Sequence, residues 1–598
     1  MEKISFIANT GIQFYTTEAR FNSSEAALVN DVPVRPLIFT EVPLSADRNK
    51  IEVVLRADGG LYRLTDLRDE NCIKTSIDLS GIEDDVLDES GVPQVAKERL
   101  NQNLLDELDT QNCYSESSID GSFPVQREGV DEPLNPFQCI LGQWIPVPLF
   151  YYFSAESGKS RCSYPAAWCR VKISHLSEDR YQFVWAFDTH AFHASKEEDD
   201  CRMLPYFSSD TVKKEVFGLP TRISHLMAFL DDNEWVGSYM SSLIFGPNVQ
   251  PVVKARGRNF LCRHLGYYVN LMTQLRVMDV CPQVTLYNDK YKGSDSVLSP
   301  IPVDLVLDVG NSKTCGVLFE EGDFTKASLL AMRDLTDPSK VYASSFDMRV
   351  VFSRTEFGRH NMDMDEEVFK WNSFLRVGEE ARRLMSMSKT PTGEAMKMTH
   401  YSSPKRYLWD DQPFAGQWEF VQLDDSEATI QENAVYVDGM SIQFNVDGTL
   451  RTDEDFNMKT SFSRRSLMTC VMIEILQQAM SQINSYDYLN IETGRGKVDQ
   501  PRVLNNIIIT CPTAMPLEEQ RTLRRCASDA FVAIARSKDP MLLYAPYDPK
   551  DWENRISVVP SVRDLSITDF TQFENKVEWG YDEATCCQLV YLYSEIVS

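Results

Sequence analysis

At 598 residues the chain exceeds one ordinary core and points to about two to four domains. With 43% hydrophobic, 11% aromatic and 25% charged residues it reads as ordered globular protein rather than as a disordered chain. The 88 acidic residues against 60 basic ones give a formal charge of −28, which disfavours a generic nucleic-acid grip by repelling phosphates at long range and leaves local basic pockets open.

The opening MEKISFIANT lacks an apolar signal core and the fourteen cysteines are scattered, so reduced thiols and a cytoplasmic location are expected. No run reaches the ~18 uninterrupted apolar residues of a spanning helix, and no membrane insertion is expected. Residues 1–281 read as a β-rich N-terminal module, because IEVVLRA, LYRL, VPLFYYF, WCRVKI and YQFVWAF alternate with turn signals. Asp58-Gly59-Gly60 falls in LRADGGLYRL as a hairpin turn, and the acidic stretch Glu83 to Glu89 reads as solvated surface. His190, His193 and Cys201 match no zinc spacing and read as a surface or sheet-edge cluster. Two helices close the module, near Arg222 to Leu230 and from Arg258 to about Val280, the second with Leu261, Leu265, Val269 and Met272 on one apolar stripe. Residues 282–302, with Gly293, Pro300 and Pro302, read as a linker.

A buried strand is expected over Val303 to Asp308, followed by the turn DVGNSKT and a returning strand over Cys315 to Phe319. Gly310 lets backbone amides approach an anion, Asn311, Ser312 and Thr314 offer short polar groups, and Lys313 adds a cation. Asp308, at the strand end, could hold a hydrated Mg²⁺ through water. Gly-Asn is also an ordinary tight-turn pair, so the hairpin alone leaves both readings open.

Further on come FLRVGEEARRLM, SSPKRYLWD, LNNIIITCPTAMPLEEQRTLRRCASDAF and KVEWGYDEATCCQLVYLYSE. The third of these predicts a strand over Ile507 to Thr510, a break at Cys511-Pro512, and a helix over Leu517 to Ala535 with Leu523, Ala527, Ala530 and Ile534 inward. In the last, Cys586-Cys587 reads as a pair of buried small thiols within a helix.

Taken in order, these segments resemble the seventy-kilodalton heat-shock chaperones and the wider actin, sugar-kinase and chaperone ATPase superfamily. Val377, Gly378, Ala381, Lys405 and Arg406 echo two of that family's segments. The resemblance implies that Lys405 is a catalytic lysine that positions the attacking water, that Glu583 is an outer-shell acid near Mg²⁺, and that Gln520 and Arg521 are scaffold. Without it, Lys405-Arg406 is a surface pair and Glu583 a first-turn acid favoured by the helix dipole. The layout as a whole, with a long region ahead of such a lobe, also resembles the virulence factor SrfB family.

The fold this implies for 303–598 is an α/β lobe, ribonuclease H-like and of the actin/chaperone ATPase type, with insertions at about 410–455, 485–500 and 540–575. It would be the first lobe only, since the second lobe's phosphate hairpin is not visible after Glu583, and a longer protein is expected. ATP and Mg²⁺ are the implied ligands and protein partners, such as family operon companions, the implied company. Poor binding of Mg·ATP by the chain as written is expected. The alternative is a non-catalytic structural or protein-binding component that keeps the fold.

Overall fold

This computed structural model describes residues 2–21, 140–151, 165–193, 204–220, 233–245, 278–292, 299–355, 369–389, 397–423, 440–451, 461–489, 497–512, 514–537 and 583–597, with shorter pieces at 28–29, 32–33, 38–41, 50–56, 72–78, 357–358, 434–435 and 557–559 and scattered single positions between 137 and 276. They fall into two units. One is Met1–Asn9 with Gln13–Ser296 and Phe357–Phe369; the other is Thr10–Ile12 with Val297–Glu356 and Lys370–Ser598.

The first unit carries a seven-stranded sheet built from β1 (Lys3–Ile7), β2 (Ile12–Arg20), β3 (Trp144–Tyr151), β4 (Pro165–Ser177), β5 (Arg180–Asp188), β6 (Lys214–Gly218) and β7 (Gln283–Tyr287). Its order is β1-β7-β6-β3-β4-β5-β2. WCRVKI and YQFVWAF lie in β4 and β5, as their β-branched and aromatic content predicts. Residues 282–302 are not all linker, because QVTLY alternates buried and half-buried side chains and pairs in parallel with β1, Lys3 opposite Gln283 and Ile7 opposite Tyr287. A helix, α1 (Glu234–Phe245), follows β6. LYRL, Asp58 to Gly60, Glu83 to Glu89, Cys201 and most of 222–230 and 258–280 lie outside the described residues. Within the last span Tyr268, Leu271, Met272 and Leu275 are helical and buried.

The second unit is organised around β8 (Ile301–Val309), whose residues alternate inward and outward. It folds back through Gly310 to Ser312 into β9 (Lys313–Glu320), Val309 opposite Thr314. Short strands β10 (Ser328–Leu329) and β11 (Phe346–Asp347) pair with β9. On the other side of β8 lie β15 (Arg502–Thr510) and β16 (Ser557–Val559), both parallel to it, giving the order β10-β9-β8-β15-β16. Between β11 and β15 come β12 (Arg349–Phe352), β13 (Leu375–Val377) and β14 (His400–Ser402), a small antiparallel sheet in the order β13-β12-β14. Helix α2 (Gly378–Met387) lays Ala381 and Leu384 on Val351 of that sheet.

Two long helices complete the unit's core. α3 (Ser466–Ile483) is buried along nearly its whole length, and α4 (Leu517–Ser537) connects β15 to β16 while packing against α3. Leu523, Ala527, Ala530 and Ile534 are all buried, on the inner face that the helical period predicts. A last helix, α5 (Glu583–Val597), ends the described chain. The whole is a mixed α/β protein.

Candidate functional site

The C-terminal ends of the parallel strands β8 and β15 adjoin, Asp308 opposite Thr510, and in open α/β sheets that end is where ligands sit. The turn beyond β8 is closed by Gly310 N–H donating to the Lys313 carbonyl at 3.0 Å. A Cβ on residue 310 would stand 2.3 Å from that same carbonyl oxygen, so only glycine fits a turn this tight. Asn311, Ser312 and Lys313 are exposed on it. Lys313 and Thr314 already belong to the returning strand, which shortens the expected turn to its three central residues.

Asp308 is exposed at the strand end, and its Oδ1 accepts from Thr510 Oγ1 at 3.0 Å. Burial and the Asp308 charge together push the neighbouring Cys315 thiol up, so that sulfur stays protonated. Thr314 is 1% exposed, and its Oγ1 has no hydrogen-bond partner. Among the described residues no group of three or more His, Cys, Asp or Glu could hold a metal directly. A lone exposed carboxylate at a glycine turn fits a hydrated cation bound through water better than one ligated outright.

Lys405 is not the surface cation that its place in a Lys-Arg pair suggests. It is 6% exposed and donates from Nζ to the Val309 carbonyl at 2.6 Å, while Arg406 points to solvent. A run of backbone bonds puts it there: Met348 N–H donates to the Ser312 carbonyl at 2.8 Å, and Ser403 N–H donates to the Met348 carbonyl at 2.7 Å. Ser403 then takes a left-handed conformation, φ 54°, and Pro404 starts the 3₁₀ turn that carries Lys405 inward. Gly378, with φ 66°, lies close to Phe346, where a Cβ would come within 2.9 Å of the phenylalanine's own Cβ. Thus the first residue of α2 is packed on β11, which pairs with β9 just beyond the Gly310 turn.

The structure therefore brings together Asp308, Gly310 to Thr314 and Lys405. Glu583 opens α5, but its side chain and the residues leading to it lie outside the described residues. Cys587 is exposed, against the expectation of a buried pair, because every described side chain of α5 from 587 onward faces solvent. Gln520 and Arg521 do local work, bonding Met515 O at 2.9 Å and Glu518 at 2.7 Å. In the first unit His193 Nε2 lies 3.0 Å from Asp289 Oδ1, and Asn9 Nδ2 donates to the same oxygen at 3.1 Å, a polar pin rather than a metal set.

The family model described as virulence factor SrfB matches residues 85–598. The chain belongs to this family. No curated protein matches it. The matched span of this SrfB-family chain contains the whole turn, Lys405, Thr510 and Glu583, and begins after β1 and β2.

Proposed function

We propose that this SrfB-family chain binds a nucleoside triphosphate with Mg²⁺ at the tip of β8. The observation that carries the reading is the 2.6 Å bond from Lys405 Nζ to the Val309 carbonyl, which sets a buried cation against a glycine turn bearing an exposed carboxylate from 96 residues away. Asp308 would hold the hydrated cation through water, Gly310 would keep the turn's amides approachable, and Asn311, Ser312, Lys313 and Thr314 would supply the polar groups of the phosphate site. Bound Mg²⁺ would supply charge neutralisation at the phosphate oxygens. Lys405 would add a fixed positive charge beside them, and Glu583 the outer-shell acid. The sheet order supports a ribonuclease H-like, actin/chaperone-type lobe: an antiparallel hairpin on one side of β8 and a parallel strand-helix-strand crossover on the other. On this reading the protein works in the cytoplasm and passes its nucleotide state to protein partners. Among the described helices none is long and apolar enough to cross a membrane.

A second reading keeps the fold without catalysis, and the same contact favours it: Lys405 is already engaged by a backbone carbonyl, which makes it a clasp between two loops. Titration calorimetry with Mg·ATP on the 598-residue chain, beside phosphate release, tests both. Binding that disappears in Asp308→Ala supports the site, and phosphate release that disappears with it makes the protein an ATPase. Binding without release favours the clasp, and Mg·ATP binding that is unchanged in Asp308→Ala removes the site.

A further inference from the structure

Helix α4 buries an arginine. Arg524 is 2% exposed, and its Nε and Nη1 are enclosed with no hydrogen-bond acceptor. Two acids of the helix are engaged elsewhere: Asp529 accepts from Leu450 N–H at 3.2 Å and faces Arg525 at 3.4 Å, and Glu518 faces Arg521 at 2.7 Å. Burial pulls the Arg524 guanidinium down, and Cys511 is the group that opposes this. A guanidinium in such a place is costly to the folded state, and native proteins keep enclosed donors of this kind where something supplies an acceptor.

Its position says what that something is. Cys511 directly follows Thr510, the residue bonded to Asp308. As the crossover helix from β15 to the parallel β16, α4 runs back over the sheet, so its first turns lie by the C-terminal end of β15. Arg524 stands seven residues from the start of α4, about two turns in, and its electrostatic neighbour is Cys511, the first residue beyond the end of this strand. Thr314, whose buried hydroxyl has no hydrogen-bond partner, is at the same end of the sheet. A planar fork of N–H donors suits the oxygens of a phosphate better than it suits a thiol.

We propose that Arg524 is a phosphate-binding residue, its guanidinium donating to an anionic oxygen held at the ends of β8 and β15. This rests on the reading of the β8 turn as a phosphate site and adds to it a contact from the helix side.

The test uses the full chain as wild type, Arg524→Met, Arg524→Lys and Asp308→Ala, each followed by thermal unfolding and by calorimetry with sodium tripolyphosphate and with Mg·ATP. Arg524→Met, neutral and of similar length, is expected to unfold at a higher temperature than wild type without ligand, and to bind tripolyphosphate about tenfold more weakly or worse. Arg524→Lys, which keeps the charge and loses the fork, is expected to fold as wild type and to bind with intermediate affinity; an unchanged tripolyphosphate affinity in both variants overturns the proposal. Mg·ATP binding that survives Arg524→Met but not Asp308→Ala also overturns it, and keeps the nucleotide site. Tripolyphosphate binding that depends on Arg524 in a chain indifferent to Mg·ATP upholds Arg524 and removes the nucleotide reading. Wild type that binds neither probe removes both.

Discussion

Lys405 and Gly310 hold the turn in different ways, and each can be removed alone. Without Nζ the Val309 carbonyl loses a charge-assisted bond in a buried place, so Lys405→Met should lower stability by ~1–3 kcal/mol in urea unfolding. Gly310→Ala places a methyl 2.3 Å from the Lys313 carbonyl oxygen, and the turn must open to admit it. The expected result is a loss of ~1–3 kcal/mol and of any Mg·ATP binding, with unaltered far-ultraviolet dichroism. Glu380 gives a pH signature. Its Oε1 accepts from Thr336 N–H at 3.0 Å and Oγ1 at 2.6 Å, and burial holds the carboxyl up at about 7 against the pull of Arg376. A raised folded value means that its contribution to stability is complete below the ordinary value of 4.5 and is lost as pH rises to about 7. Glu380→Gln, which keeps the acceptor, should flatten that decline and be the more stable protein at pH 8 by ~2–3 kcal/mol, read from urea midpoints across pH. The turn residues were legible because glycine and short polar side chains between two alternating runs leave little else to build. Thr510 and Arg524 were not: a threonine at a strand end carries no pattern of its own, and an arginine beside Arg525 looks like a solvated face. α4 packs against α3 and bridges two sheet strands, so it buries more than the single stripe that its period marks.

Helix α3 shows why a central element can escape a periodic reading. SLMTCVMIEILQQAMSQI is apolar or small almost all round, so it has no stripe, and nothing in its period separates it from a buried strand run. Its one acid, Glu474, is 1% exposed and held by Arg376 Nη1 at 2.6 Å, Trp371 Nε1 at 3.1 Å and Gln478 Nε2 at 2.9 Å. Removing it strands the Arg376 charge, which is also 1% exposed. Glu474→Ala should therefore cost ~3–5 kcal/mol, whereas a double change of Glu474 and Arg376 to apolar residues of similar volume should recover much of that loss. Urea midpoints of the three variants decide it. Strand β15 was expected from Ile507 and begins at Arg502. The polar pair Asn505-Asn506 hid its first half, since both amides reach Asp304 on β8, at 3.2 and 2.7 Å, and so belong to the ladder's side-chain pairing. Strand β7 was hidden in the same way by the linker-like residues that follow it.

The described part of α5 exposes Leu589, Val590, Tyr591, Leu592 and Ile596, the last at 81%, on more than one side of the helix. Apolar surface of that extent promotes association. Light scattering of the purified chain should show an apparent mass that rises with concentration, and replacing Leu589, Val590 and Ile596 by serine should suppress the rise; equal behaviour of the two proteins would mean that α5 is inert. The position of β8 has a consequence in time. Its hairpin partner β9 leaves the ribosome almost with it, but the strand that covers its other edge supplies Thr510, 202 residues after Asp308. At roughly 5–20 residues per second the newborn chain holds that apolar edge open for about 10–40 s. The turn beyond β8 is thus displayed long before Thr510, which bonds Asp308, exists, and through that interval the growing polypeptide depends on whatever shields an unpaired strand.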